Sequence, residues 1–146
     1  MKHLGAIGGM PVVCGGTRVG RVLSAQLTPD LRRLGGLHVD LGMKGRRFLP
    51  ADRVRVLGDV AVVAEGGFEK GPLSCARLPA RALSPAGARL GCITGAWLDE
   101  ATGEVQALEL SAGYWEDLFS GRVPVRFYRV RRGGEIVVFG EGGEEE

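Results

Sequence analysis

The chain has 146 residues, 45% of them hydrophobic, with a formal charge of only +2, enough for one ordinary domain or two very small ones. So balanced a charge does not by itself point to nucleic acid or to a membrane surface, and no apolar run reaches the roughly 18–20 residues that span a bilayer. Cys14, Cys75 and Cys92 are odd in number, widely spaced and free of any C-x-x-C, which argues against a disulfide framework or a zinc site and fits reduced thiols.

Lys2 is followed by glycines rather than by the apolar core of a signal peptide, so the expected location is the cytoplasm. The 25 glycines stand well above the usual ~7%. They lie between apolar runs, where the turns of an all-β fold need them, and with no Asn in the chain Gly and Asp carry that turn chemistry. Removing the tail acids Glu141, Glu144, Glu145 and Glu146 raises the charge of the body from +2 to +6. Most basic residues are Arg, which suits planar recognition of carboxylate or phosphate; a compositional bias toward Arg accounts for them equally well.

In chain order, residues 4–13 read as an extended opening segment, bent at Gly8-Gly9, with Pro11 suited to an edge. Gly15-Gly16-Thr17 leads into a long strand over 18–27 whose imperfect alternation fits bending round a small barrel. Thr28-Pro29-Asp30 is a turn. Residues 37–41 alternate, with Leu37, Val39 and Leu41 on one face and His38 and Asp40 on the other. A basic connection over 42–47 precedes a corner at Phe48-Leu49-Pro50, where Ala51-Asp52 makes one helical turn. A hairpin over 54–63 turns at Gly58-Asp59.

Residues 64–76 break every period. The chain therefore divides into a first repeat over 1–64, a linker over 65–77, a second repeat over 78–139 and an acidic tail over 140–146. The second repeat follows the same order, with a hairpin loop at 99–103, a strand over 105–110 and further strands over 122–130 and 135–139. One segment has no counterpart in the first repeat. Here Ser111 caps a short helix carrying Tyr114, Trp115, Leu118 and Phe119, and Gly121 stops it. That helix is expected to plug the open end of the second unit or to offer its aromatics to a partner.

The halves announce themselves as copies. Val19-Gly20-Arg21-Val22 returns 71 residues later as Leu90-Gly91-Cys92-Ile93. Leu49-Pro50 is matched by Val123-Pro124, and the strand centre four residues beyond each Pro is Val54 or Tyr128. Residues 31–36 are expected to make the first connection three residues longer than the second. Two small β-domains sharing an interface follow.

Gly-x-[Val/Ile] in the long strand, an Asp/Thr-Gly turn, an apolar-Pro corner and a closing hairpin resemble the PRC-barrel family, named for the cytoplasmic domain of the photosynthetic reaction centre H subunit. Residues 7–13 are similar to its opening segment and 47–54 to its corner. Ser24 and Gly95 stand where the family often has an acidic residue. The resemblance implies two tandem six-stranded PRC-type barrels, all-β apart from the short helix in the second. It also implies a docking role of the kind such barrels play in ribosome maturation and photosynthetic complexes, without a catalytic site.

The candidate sites are few. His38-x-Asp40 could begin a metal or acid/base site, but the only other histidine, His3, lies at a terminus expected to fray. No nucleophile motif or phosphate loop is present, so no enzyme activity, cofactor or metal is expected. The expected function is a non-catalytic adaptor working through protein–protein contacts, with a protein partner or a second copy of the chain at Tyr114, Trp115, Phe119 and Arg122. The alternative is an RNA- or ribosome-associated maturation factor whose basic clusters contact phosphate. Those clusters are Lys44, Arg46 and Arg47 and then Arg126, Arg129, Arg131 and Arg132, with Phe127 or Tyr128 for stacking.

Overall fold

Alternation and β-branched residues carry through to strands along most of the chain. The computed structural model describes residues 1–71, 74–111 and 122–140, and among them the fold is all-β. The strands are β1 (Lys2–His3), β2 (Pro11–Cys14), β3 (Thr17–Leu27), β4 (Leu34–Asp40), β5 (Arg46–Pro50), β6 (Val54–Leu57) and β7 (Val62–Ala64). The second half adds β8 (Ala80–Leu83), β9 (Arg89–Leu98), β10 (Val105–Ser111), β11 (Val123–Val125), β12 (Tyr128–Val130) and β13 (Ile136–Val138). Short 3-10 turns occupy Leu4–Ala6, Gly42–Lys44 and Ala51–Arg53, the last at the corner the sequence indicates. The expected helix with Tyr114, Trp115 and Phe119, and the tail beyond Gly140, lie outside the described residues.

Two curled, barrel-like sheets result. The first runs β5-β4-β3-β2-β7-β6 and the second β11-β10-β9-β8-β13-β12, so adding six to each strand number of the first path gives the second. Both contain one parallel pair among antiparallel ones, β2 with β7 and β8 with β13. No ladder joins the ends of either path among the described residues.

The copies agree down to their irregularities. Along β3, Val19 and Leu23 are skipped in the pairing with β2 and β4; along β9, Leu90 and Thr94 are skipped in the same way. Each such bulge adds a residue on one side and sharpens the bend and twist, so one long strand can serve both sides of a curled sheet. Gly20 lies in the first bend, where any Cβ would run into the Asp40 carbonyl.

Cross-strand partners give the register of the repeat and correct the sequence reading in two places. Val22 faces Val39 as Ile93 faces Leu110, and Ala25 faces Leu37 as Ala96 faces Leu108. The 71-residue shift thus holds through β4, and the first connection is not longer. The strand simply begins at Leu34, with Gly35 skipped as a bulge between the Leu27–Leu34 and Gln26–Gly36 pairs. The two prolines are not equivalent either. Leu37 faces Leu49 and Leu108 faces Val125, so Pro124 takes the place of Phe48 while Pro50 ends its strand opposite Gly36. Both lie on edge strands, where a missing N–H is tolerated. The match of Val54 with Tyr128 stands, since they pair with Ala64 and Val138 at equivalent places.

The terminus does not fray. Lys2 and His3 pair with Leu98 and Trp97 on the second sheet, and the Lys2 ammonium reaches Asp59 of the first half at 3.2 Å. The linker is also tied down. Glu69 and Phe48 exchange backbone hydrogen bonds at 2.7 Å, and the Ala76 N–H donates to the Leu27 carbonyl at 2.9 Å.

The halves meet across a local twofold. Leu34 N–H donates to the Gly103 carbonyl at 2.7 Å, and Val105 N–H donates to the Arg32 carbonyl at 2.8 Å. Each bond is the other moved by the 71-residue repeat, and Arg33 pairs antiparallel with Glu104 between them. Buried residues of both halves, among them Leu27, Leu31 and Leu37 with Ile93, Leu98 and Leu108, form one core cluster.

Candidate functional site

The seam is built asymmetrically by the two copies. On one side the connection over 28–33 folds against β12. The Thr28 hydroxyl donates to Asp30 Oδ1 at 2.6 Å, and that oxygen also accepts the Arg32 N–H at 3.0 Å. These bonds hold the Asp30 carboxyl below its ordinary range, the Thr28 hydroxyl most of all, with the Arg32 N–H and charge adding to it. Thus braced, Leu31 takes a left-handed φ of 61° and turns into the core, while Arg32 lies over the Tyr128 ring at 4.0 Å. The Tyr128 hydroxyl donates to the Leu31 carbonyl at 2.7 Å, and the Arg32 guanidinium donates to the Tyr128 carbonyl. Burial pushes the phenol pKa up, partly offset by Arg32.

Next to this buttress opens a groove of about 790 Å³ between residues 75–81 and the β12–β13 turn, within the size range of ligand pockets. Arg77, Arg81, Arg131 and Arg132 line it, over apolar contributions from Leu31, Pro79 and Val130. Among the described residues Glu135 is the one acidic residue in the lining, and it meets Arg81 at 3.5 Å. Among the described residues, Arg77, Arg131 and Arg132 have no ion pair or side-chain hydrogen bond. Cys75 also lines the groove, and burial pushes its thiol pKa up, away from thiolate chemistry.

The matching place on the other side of the twofold has a different character. By strand pairing, Arg81 corresponds to Pro11, and Arg131 and Arg132 follow β12 where Gly58 and Asp59 follow β6. The first copy thus places no arginine at the positions of Arg81, Arg131 and Arg132.

A second polar cluster surrounds Glu109, a carboxylate 7% exposed at the middle of β10. Thr94 Oγ1 donates to its Oε1 at 2.8 Å, and His3 Nε2 bonds its Oε2 at 2.8 Å. His3 Nδ1 accepts the Gly5 N–H at 3.0 Å, which leaves Nε2 as the nitrogen that carries the proton. The imidazole also meets the Trp97 ring edge-on at 5.2 Å, and Arg122 Nε approaches Glu109 Oε1 at 3.8 Å. Each carboxylate oxygen is thus engaged, in an arrangement that fastens β1 to the second sheet.

The described residues among those singled out in the sequence do not converge on one site. Tyr114, Trp115 and Phe119 lie outside the described residues, and Arg122 is exposed beside Glu109. Lys44, Arg46 and Arg47 belong to the β4–β5 connection and β5 of the first sheet, and the Arg47 guanidinium turns back onto the Arg46 carbonyl at 2.8 Å. Arg126 and Arg129 are exposed on the second sheet, with Arg129 over Phe139 at 5.5 Å; only Arg131 and Arg132 of that cluster line the groove. His38 packs edge-on against Phe48 at 5.4 Å, and Asp40 Oδ1 accepts the Gly42 N–H at 2.9 Å. Among the described residues no three His, Cys, Asp or Glu side chains converge as metal ligands. Sequence reading missed Arg77 and Arg81, which flank Pro79 on the far wall of the groove. Their spacing about a proline at the start of the second repeat was the available signal.

No protein-family model matches the chain, and no curated protein is significantly similar to it.

Proposed function

We propose that the protein is a non-catalytic docking protein built on two tandem PRC-type barrels, acting in the cytoplasm through protein–protein contacts. The observation that carries this reading is the groove at the seam, with three arginines that have no partner among the described residues. Unpaired charge of one sign gathered in a concavity attracts an opposite surface and steers its approach. The polar groups that could be mistaken for reactive ones are occupied in other ways. Thr94 and His3 each hold one oxygen of Glu109, and Asp40 closes a turn. The PRC-type assignment is supported by the Gly-x-[Val/Ile] triplet in the long strand of both repeats and by the matching strand order of the two sheets.

The rival reading, an RNA- or ribosome-associated factor, draws on the exposed Arg126, Arg129, Arg131 and Arg132 of the second sheet. Affinity capture from the native cell extract, with and without nuclease, separates the two. The docking reading expects a partner that survives nuclease and rebinds when purified. Loss of all capture on nuclease treatment, together with a steep fall of binding with salt, would give the rival first place.

A further inference from the structure

We propose that the arginine groove between residues 75–81 and the β12–β13 turn is the receptor for a short acidic segment of a partner protein. This rests on the docking reading and names the chemistry of its ligand. Among the described residues four arginines share the lining with a single carboxylate, and the Arg81–Glu135 pair at 3.5 Å leaves both side chains substantially exposed. Among the described residues Arg77, Arg131 and Arg132 have no counter-charge to offset the cost of gathering them, and an acidic ligand would supply one. The internal copy serves as a control. At the equivalent place the same fold carries Pro11, Gly58 and Asp59, so neither barrel curvature nor edge protection requires arginine there.

Two features favour a peptide over a nucleic acid. Among the described residues the lining contains no aromatic side chain, whereas binding of single strands relies on aromatic surfaces for base stacking. It does contain Leu31, Pro79, Ala80 and Val130, which suit apolar side chains set among carboxylates. Guanidinium forks match carboxylates in planar, two-bond geometry, and the walls come from the seam and from a β-hairpin, so the receptor is formed before the ligand binds.

The test is selection of a random peptide display library on the intact protein, followed by affinity measurement of the selected peptides by fluorescence anisotropy at physiological salt. The expected peptides are rich in Asp and Glu interspersed with apolar residues. They should lose about tenfold or more in affinity on R131E/R132E, a change confined to exposed side chains of a turn. They should bind the R46E/R47E protein normally, and both variants should keep the parent melting temperature. Selection without acidic enrichment, or peptides that bind R131E/R132E as well as the parent, would overturn the proposal. So would an oligouridylate that binds more tightly than the peptides and loses that binding on R131E/R132E. A purified natural partner that binds R131E/R132E undiminished removes the groove and leaves the docking reading standing. The docking reading itself fails only in the capture experiment, which does not depend on the groove.

Discussion

Tyr128 joins the two copies through its ring, its hydroxyl and its carbonyl, and it is 5% exposed. Tyr128→Phe keeps the ring and the stacking of Arg32 but leaves the Leu31 carbonyl without its donor. An unsatisfied buried acceptor costs about 1–3 kcal/mol, so chemical denaturation should show a loss in that range, with the slope unchanged. A neutral result would mean that water or another donor takes over, and the hydroxyl would then be incidental to the seam. At this scale the sequence was legible only for local chemistry. Leu37 and Val39 facing inward and a turn at Thr28-Pro29-Asp30 follow from alternation and side-chain type, and both are present. That His3 would bond Glu109, or that Arg77 would face Arg131, depends on contacts more than 50 residues apart, which no local pattern encodes.

Edge strands are where the copies solve one problem in two ways. β5 has its outer edge covered by Glu69, which exchanges two backbone bonds with Phe48. In β11 the equivalent residue is Pro124, which has no N–H to offer. An uncovered edge invites pairing with another chain, and proline at that position blocks it. Pro124→Thr restores the donor, and size-exclusion chromatography with light scattering should then show concentration-dependent dimers absent from the parent. A strictly unchanged mass at high concentration would show that the edge is guarded by something else. The two prolines also explain why the repeat was legible while its register was not. Leu49-Pro50 and Val123-Pro124 look alike as dipeptides, yet one ends a strand and the other interrupts an edge. The true correspondence shows only in the cross-strand partners Leu37, Leu49, Leu108 and Val125.

Over the whole molecule, the two sheets exchange backbone hydrogen bonds at the seam, share one core cluster and each receive a segment from outside their own copy: β1 lies on β9, and Ala76 bonds β3. Small domains joined only by a linker unfold independently, whereas units that share a core melt together. Calorimetry should therefore give one transition, with calorimetric and van't Hoff enthalpies equal. Two resolved peaks would mean that the seam contributes little and that each sheet stands alone. The all-β character and the duplication could be read from glycine placement and repeated spacing. The seam could not, because Arg32 to Leu34 and Gly103 read as ordinary connections and Val105 as the first residue of a strand. The pairing of Lys2 with Leu98 has a further consequence for the order of biosynthesis. The ribosome delivers the opening strand first and its partner some 96 residues later, several seconds at ordinary elongation rates of about 5–20 residues per second. Through that interval the first sheet can form while its leading residues wait, so a bulky fusion at the amino terminus should trap nascent chains with the Trp97–Leu98 end of β9 unpaired on one side, and one at the carboxyl terminus should not.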